Sequence, residues 1–166
     1  MTFNVYTYIF VPSYIIRMKL EEEIKQEKFN SEYHKLSINI IFTHSWLSYQ
    51  QQSFFKKSNI TPQQFNVLRI LRGQHPKPAT VNLLIERMID KSSNASRIVD
   101  KLEAKGWVKR TTCPQDRRAV DVQITADGME LLKKMDRYEQ EWEKGLHTLT
   151  LEEATQLNSL LDKLRG

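Results

Sequence analysis

Apolar residues recur along most of this chain at spacings of three and four, and near residues 107–125 the spacing drops to two. From about Phe29 to Lys57 there is neither Pro nor Gly, and Tyr33, Leu36, Ile40 or Ile41, His44, Leu47 and Phe54 fall at helical spacing. That predicts a long helix. Ile38, Phe42, Trp46 and Tyr49 add a further apolar face, more than one core contact requires, which points to burial against a second surface. In "TPQQFNVLRILRG", Thr61 is the expected N-cap, Pro62 the first helical residue, Gln64 the closing member of a capping box, and Gly73 the stop. "QHPKPAT" (74–80) reads as a loop, and Thr80 as the cap of "VNLLIERMI", with Leu83, Leu84, Met88 and Ile89 facing inward. A third helix follows almost at once in "DKSSNASRIVDKLEAKGW", capped by Ser92 or Ser93, striped by Ile98, Val99 and Leu102, and ended by Gly106. Two short helices joined by a few polar residues outline a helix-turn-helix.

The period then changes. "WVKRTT" and "AVDVQIT" alternate apolar and polar positions around the turn-forming "CPQDRR", which predicts a two-stranded hairpin with a loop long for a purely structural turn. Thr125 caps a helix from Ala126 to about Gly145, with Met129, Leu132, Met135, Tyr138, Trp142 and Leu146 on one stripe. A second capping box, Thr150 to Glu153, opens a final helix aligned by Ala154, Leu157, Leu161 and Leu164. The expected fold is mainly α with a small β-hairpin: a winged helix-turn-helix flanked by long N- and C-terminal helices.

Charge sharpens this picture. The 166 residues suit one domain with its own core, and the formal net charge is +5. Residues 91–118 alone account for it: Lys91, Arg97, Lys101, Lys105, Lys109, Arg110, Arg117 and Arg118 face only Asp100, Glu103 and Asp116. A basic block of this kind favours a polyanionic partner. Cys113, the single cysteine, excludes an internal disulfide and fits a reducing, cytoplasmic setting. His34, His44, His75 and His147 lack metal-ligand spacing, so neither a metal nor a cofactor is expected. The sequence has no Gly-rich phosphate loop and no nucleophile motif, which argues against an enzyme.

The opening "MTFNVYTYIFVPSYIIR" is aromatic and uncharged up to Arg17, yet no basic residue precedes the apolar run and no small-residue cleavage site follows it. Pro12 and the interspersed polar residues make it too short and polar to span a bilayer, so no membrane partner is expected. Two readings remain: translation begins at Met18, or residues 1–28 are an extension that packs against a partner chain.

With these elements in place the sequence resembles the MarR (multiple antibiotic resistance regulator) family of bacterial transcription factors over about residues 30–165. "SRIVDKLEAKGWVKR", the Asp116-x-Arg118 pair in "DRRAVDVQIT", and the "ITADGMELL" junction carry the resemblance. It implies a MarR-like domain over 29–166, with a DNA-reading lobe at about 61–125 and dimerisation helices at about 29–57 and 126–165. It also implies a symmetric homodimer, with Trp46, Trp142, Leu157, Leu161 and Leu164 as interface residues; packing within one chain is the competing account. Such a dimer reads a pseudo-palindrome with half-sites roughly 10 bp apart on double-stranded DNA. The function implied is that of a repressor responsive to a small aromatic or phenolic effector.

The residues support the same placement. A helix entering the major groove needs short polar and basic side chains near its N-terminus. Asn94 and Arg97 are the candidates for base contacts, and Ser92, Ser93, Ser96 and Lys101 for phosphate or sugar, although the serines could simply cap the helix. At the wing tip, Arg118 is suited to the minor groove and Asp116 to orienting it, as the resemblance also implies; Arg117 and Arg110 are candidates for phosphate. A solvated charged turn is the alternative there. Phe42, Trp46 and Tyr49 are weak candidates for an effector pocket, an aromatic stripe at this spacing being more often core. Cys113 sits among basic residues that would lower a thiol pKa, which allows a redox-sensing regulator or an incidental surface residue. A winged-helix module for protein contacts is the remaining rival to DNA binding.

Overall fold

In the computed structural model, which describes residues 19–112 and 120–166, the best local signal of the sequence is realised in full. Thr61 caps helix α3 (Pro62–Gln74): its hydroxyl accepts from the Gln64 amide at 3.2 Å and the Gln64 side chain accepts from the Thr61 amide at 3.1 Å. The chain divides into two compact units at residues 52 and 53.

The first unit holds a one-turn helix, α1 (Leu20–Glu23), and most of the long helix α2 (Glu32–Lys57). The start of α2 lies slightly later than expected, because Ser31 accepts the His34 amide and serves as its cap. Glu21 pairs with Lys35 at 2.5 Å, and that bond is the chief cause holding the Glu21 carboxyl below its ordinary pKa.

The second unit contains the last turn of α2, then α3, β1 (Ala79–Thr80), α4 (Val81–Arg87), α5 (Ala95–Ala104), β2 (Val108–Thr112), β3 (Val120–Ile124), α6 (Ala126–Lys144) and α7 (Leu151–Arg165). Its core joins Leu68 and Leu71 of α3, Leu84 of α4, Val99 and Leu102 of α5, Val122 of β3, and Leu132 and Met135 of α6. These are the apolar stripes of the sequence meeting at one centre. Nη1 of Arg72 on α3 donates to both carboxylate oxygens of Asp136 at 2.8 Å, fastening α6 to α3.

Four local expectations are corrected. The sheet has three strands in the order β1-β3-β2, all antiparallel, because Ala79 and Thr80 pair with Val122 and Asp121 across a long sequence gap. Nothing local marks such a short strand. Helix α3 runs through Gly73 to Gln74 and ends where His75 bonds back to Leu71 and Arg72, just before Pro76, which cannot extend the helix. Ile89 does not face inward; α4 ends at Arg87, Met88 turns extended, and Ile89 is 86% exposed. Finally, α5 is capped by Asn94 and not by Ser92 or Ser93, since the side-chain Oδ1 of Asn94 accepts the Arg97 amide.

Two junctions position the hairpin. After α5, Gly106 takes a left-handed conformation (φ 73°), its amide bonding Glu103 and that of Trp107 bonding Leu102, which together close the helix and aim the chain into β2. Thr125 then ties the start of α6 to the same corner: its amide donates to the Trp107 carbonyl at 3.0 Å and its hydroxyl to that of Gly106 at 2.7 Å.

Candidate nucleic-acid interface

The turn into α5 is organised by Asp90. One carboxylate oxygen accepts the Ser92 amide at 3.0 Å and the Ser92 hydroxyl at 2.6 Å, and the other accepts the Ser93 hydroxyl at 2.7 Å. The Ser92 hydroxyl, then that of Ser93, then the Ser92 amide hold the Asp90 pKa down at about 2. A carboxyl depressed on folding stabilises the turn above its ordinary value of 3.8 and loses that contribution as pH falls through about 2, so the turn keeps this order at neutral pH. Lys91 reaches back to the carbonyls of Ile85 and Glu86, closing the C-terminus of α4. From α3, Asn66 accepts the Ile89 amide at 3.0 Å. The turn of the helix-turn-helix is thus held from both sides.

Beyond the turn, Asn94, Ser96, Arg97 and Lys101 are exposed along α5. Asn94, Arg97 and Lys101 open onto a cleft that is also lined by Thr61, Gln63 and Gln64 at the start of α3 and by Ser93 and Ile98. Among the described residues the Arg97 guanidinium has no hydrogen-bond or ion-pair partner. Asn94 keeps its amide protons free while its oxygen caps the helix. The hydroxyl protons of Ser92 and Ser93 are already directed at Asp90, so these serines build the turn, and Ser96 is the hydroxyl left open to a ligand.

Arg110 is committed elsewhere: it crosses from β2 to α5 and pairs with Asp100 at 2.6 Å. Lys105 contacts the Asn59 carbonyl and lies over the Trp107 ring at 4.7 Å; burial first, then the charge of Lys101, pushes its ammonium pKa down. Of the basic block, Lys91, Lys105 and Arg110 therefore serve the fold, while Arg97, Lys101 and Lys109 stand exposed. Lys109 signals in the sequence only as charge, and Gln63 joins the cleft solely by tertiary packing. Asp116, Arg117, Arg118 and Cys113 lie outside the described residues.

On α2, Phe42 is half-buried while Trp46 and Tyr49 are exposed, Tyr49 at 74%. They share one helix face but do not line the cleft described above. Helix α7 buries no residue: Leu151, Leu157, Leu160 and Leu164 are exposed, and Leu161 is half-buried. Among the described residues no group of His, Cys, Asp and Glu could hold a metal ion, and no helix is long and apolar enough to cross a membrane.

A helix-turn-helix followed by an antiparallel hairpin, with the second helix presenting open basic and polar side chains, defines a winged-helix protein of the DNA-reading class. Residues 60–120 match the sequence model of the MarR family. Over that region the chain resembles this family of transcriptional regulators. It is 28% identical over 112 residues to the HTH-type transcriptional regulator PecS of Dickeya dadantii, covering 66% of this chain and 68% of PecS. Its fold is similar to that of a MarR-like transcription regulator from Bacillus cereus, with a TM-score of 0.71, 25% identity, and coverage of 81% of this chain and 96% of the other. A mutant Escherichia coli MarR complexed with operator DNA is likewise similar, with a TM-score of 0.71, 26% identity, and coverage of 83% and 99%.

Proposed function

We propose that the chain is a homodimeric regulator that binds a pseudo-palindromic operator in double-stranded DNA and represses by occluding a promoter. The observation that carries this reading is the open Arg97 beside the Asn94 amide, at the N-terminus of a helix whose preceding turn is pinned by Asp90. Arg97 and Asn94 reach base edges; Ser96 and Lys101 meet phosphate or sugar, with the free amides of the helix start assisting. In the same proposal Arg118 enters the minor groove, Asp116 orients it, and Arg117 meets phosphate. The exposed leucines of α7 support a second copy as the dimer partner, since so continuous an apolar stripe is unfavourable in water. A small aromatic or phenolic acid is the effector class proposed, with Phe42, Trp46 and Tyr49 as candidate contacts.

Binding decides it. Arg97→Ala is expected to cost about 1–3 kcal/mol against an operator fragment and to relax specificity within half-sites; Arg118→Ala should reduce preference for A·T-rich flanks. Fragments selected from genomic DNA by the purified protein supply the operator for these titrations. Absence of affinity for any duplex, even at low salt where phosphate contacts are strongest, would remove the DNA-binding reading.

A further inference from the structure

On the sequence alone Arg110, on the first wing strand, is a candidate phosphate contact. Its surroundings assign it different work. The Nη1 group forms an ion pair with Asp100 at 2.6 Å, and Nη2 donates to the Ser96 carbonyl at 3.1 Å. The backbone amide of Arg110 donates to Glu103 Oε1 at 3.2 Å, while Nε is buried 3.7 Å from Glu103 Oε2 with no hydrogen-bond partner. Ser96, Asp100 and Glu103 are spaced by four and three residues, so they form one strip along α5. A single strand residue therefore grips two turns of the recognition helix.

We infer that Arg110 is a positioning residue: it locks the first wing strand to the recognition helix, so that the two present a single geometry to DNA, and does not itself contact the duplex. This rests on the DNA-binding reading above. Two physical facts favour it. The guanidinium is planar with donors on fixed edges, and those edges already face protein acceptors. An approaching phosphate would also meet the carboxylates of Asp100 and Glu103, whose charges repel it. Cross-links this exposed are individually weak, so the consequence is a more variable angle between wing and helix and not unfolding.

The sign of one substitution separates positioning from contact. Removing an acid near bound DNA ordinarily tightens binding, because a repulsion is lost. If Asp100 acts through Arg110, Asp100→Asn will instead weaken binding to the selected operator fragment, by about threefold to fivefold. Arg110→Gln should give a similar loss without reducing the salt dependence, and the double variant should be no weaker than either single one, as expected for partners in one interaction. Thermal unfolding of each variant is followed in parallel, and Glu103→Gln, with the same expected sign, serves if Asp100→Asn does not fold.

Tighter or unchanged binding by the acid variants would overturn the inference, as would an Arg110→Gln variant whose salt slope falls by about one, the mark of a lost phosphate contact. A wild-type chain that binds no duplex at all would overturn the proposed function instead, so the two failures are distinguishable.

Discussion

Leu102→Ala is expected to lower the free energy of unfolding by about 2–5 kcal/mol, the range for a fully buried leucine whose site cannot collapse. Leu102 is 0% exposed, and it is the point where the recognition helix enters the shared core of α3, α5 and α6. Its carbonyl also accepts the Trp107 amide that turns the chain into the wing, so the residue anchors both reading elements at once. Chemical denaturation of the variant checks the magnitude. The informative comparison is Arg97→Ala, which removes an exposed side chain: it should leave stability within about 0.5 kcal/mol of the parent while DNA affinity falls. A Leu102→Ala variant as stable as the parent would contradict the packing described for α5.

Gly128→Ala carries the second large effect, and there the sign is the point. Gly128 lies in the first turn of α6, where replacing glycine by alanine ordinarily gains about 1 kcal/mol of helix propensity. A Cβ at this position, however, would stand 2.3 Å from the Trp107 carbonyl oxygen and 2.8 Å from Ile124 Cγ1. The first of these is backbone, held by the Thr125 amide, so it cannot swing aside as a side-chain tip would. Overpacking of this severity costs about 3 kcal/mol, which outweighs the propensity gain and leaves a net loss of about 2 kcal/mol. Because the same corner joins the wing root to α6, the variant should also bind operator less tightly than its stability alone explains. Thermal unfolding alongside DNA titration tests both parts; a stabilised variant would show that the helix start had moved away from Trp107 at little cost.

The helices were legible because their signals are local. Thr61 with Gln64, Thr80, Thr125, and Thr150 with Glu153 satisfy amides within four residues of themselves, and any chain with these residues in this order can form those caps. Local signals mislead where a rival acceptor or a distant partner decides the outcome. Ser92 and Ser93 are good capping residues by type, but Asp90 draws both hydroxyls and Asn94 takes the cap. β1 has no pattern of its own and exists only because β3 offers it an edge.

The candidate site divides the same way. That residues 91–118 carry the whole of the net charge, and that Asn94 and Arg97 lie near the start of a short helix, can be read from residue order alone. Which cations are available cannot, because a charge announces its sign but not its partner. Arg97 and Arg110 are both candidate DNA contacts in the sequence; packing β2 against α5 surrounds Arg110 with Asp100, Glu103 and the Ser96 carbonyl and leaves Arg97 facing solvent.

By itself, then, the sequence determined the succession of helices and hairpin, the capping residues at most helix starts, the apolar stripes of the core and the place of the basic block, all of which depend on interactions within a few residues. Only the tertiary structure decided the third strand, the close approach that requires Gly128, and the division of the basic residues into those that hold the fold and those that remain open to DNA. Each of these depends on atoms brought together from distant parts of the chain, and that proximity has no signature in local order.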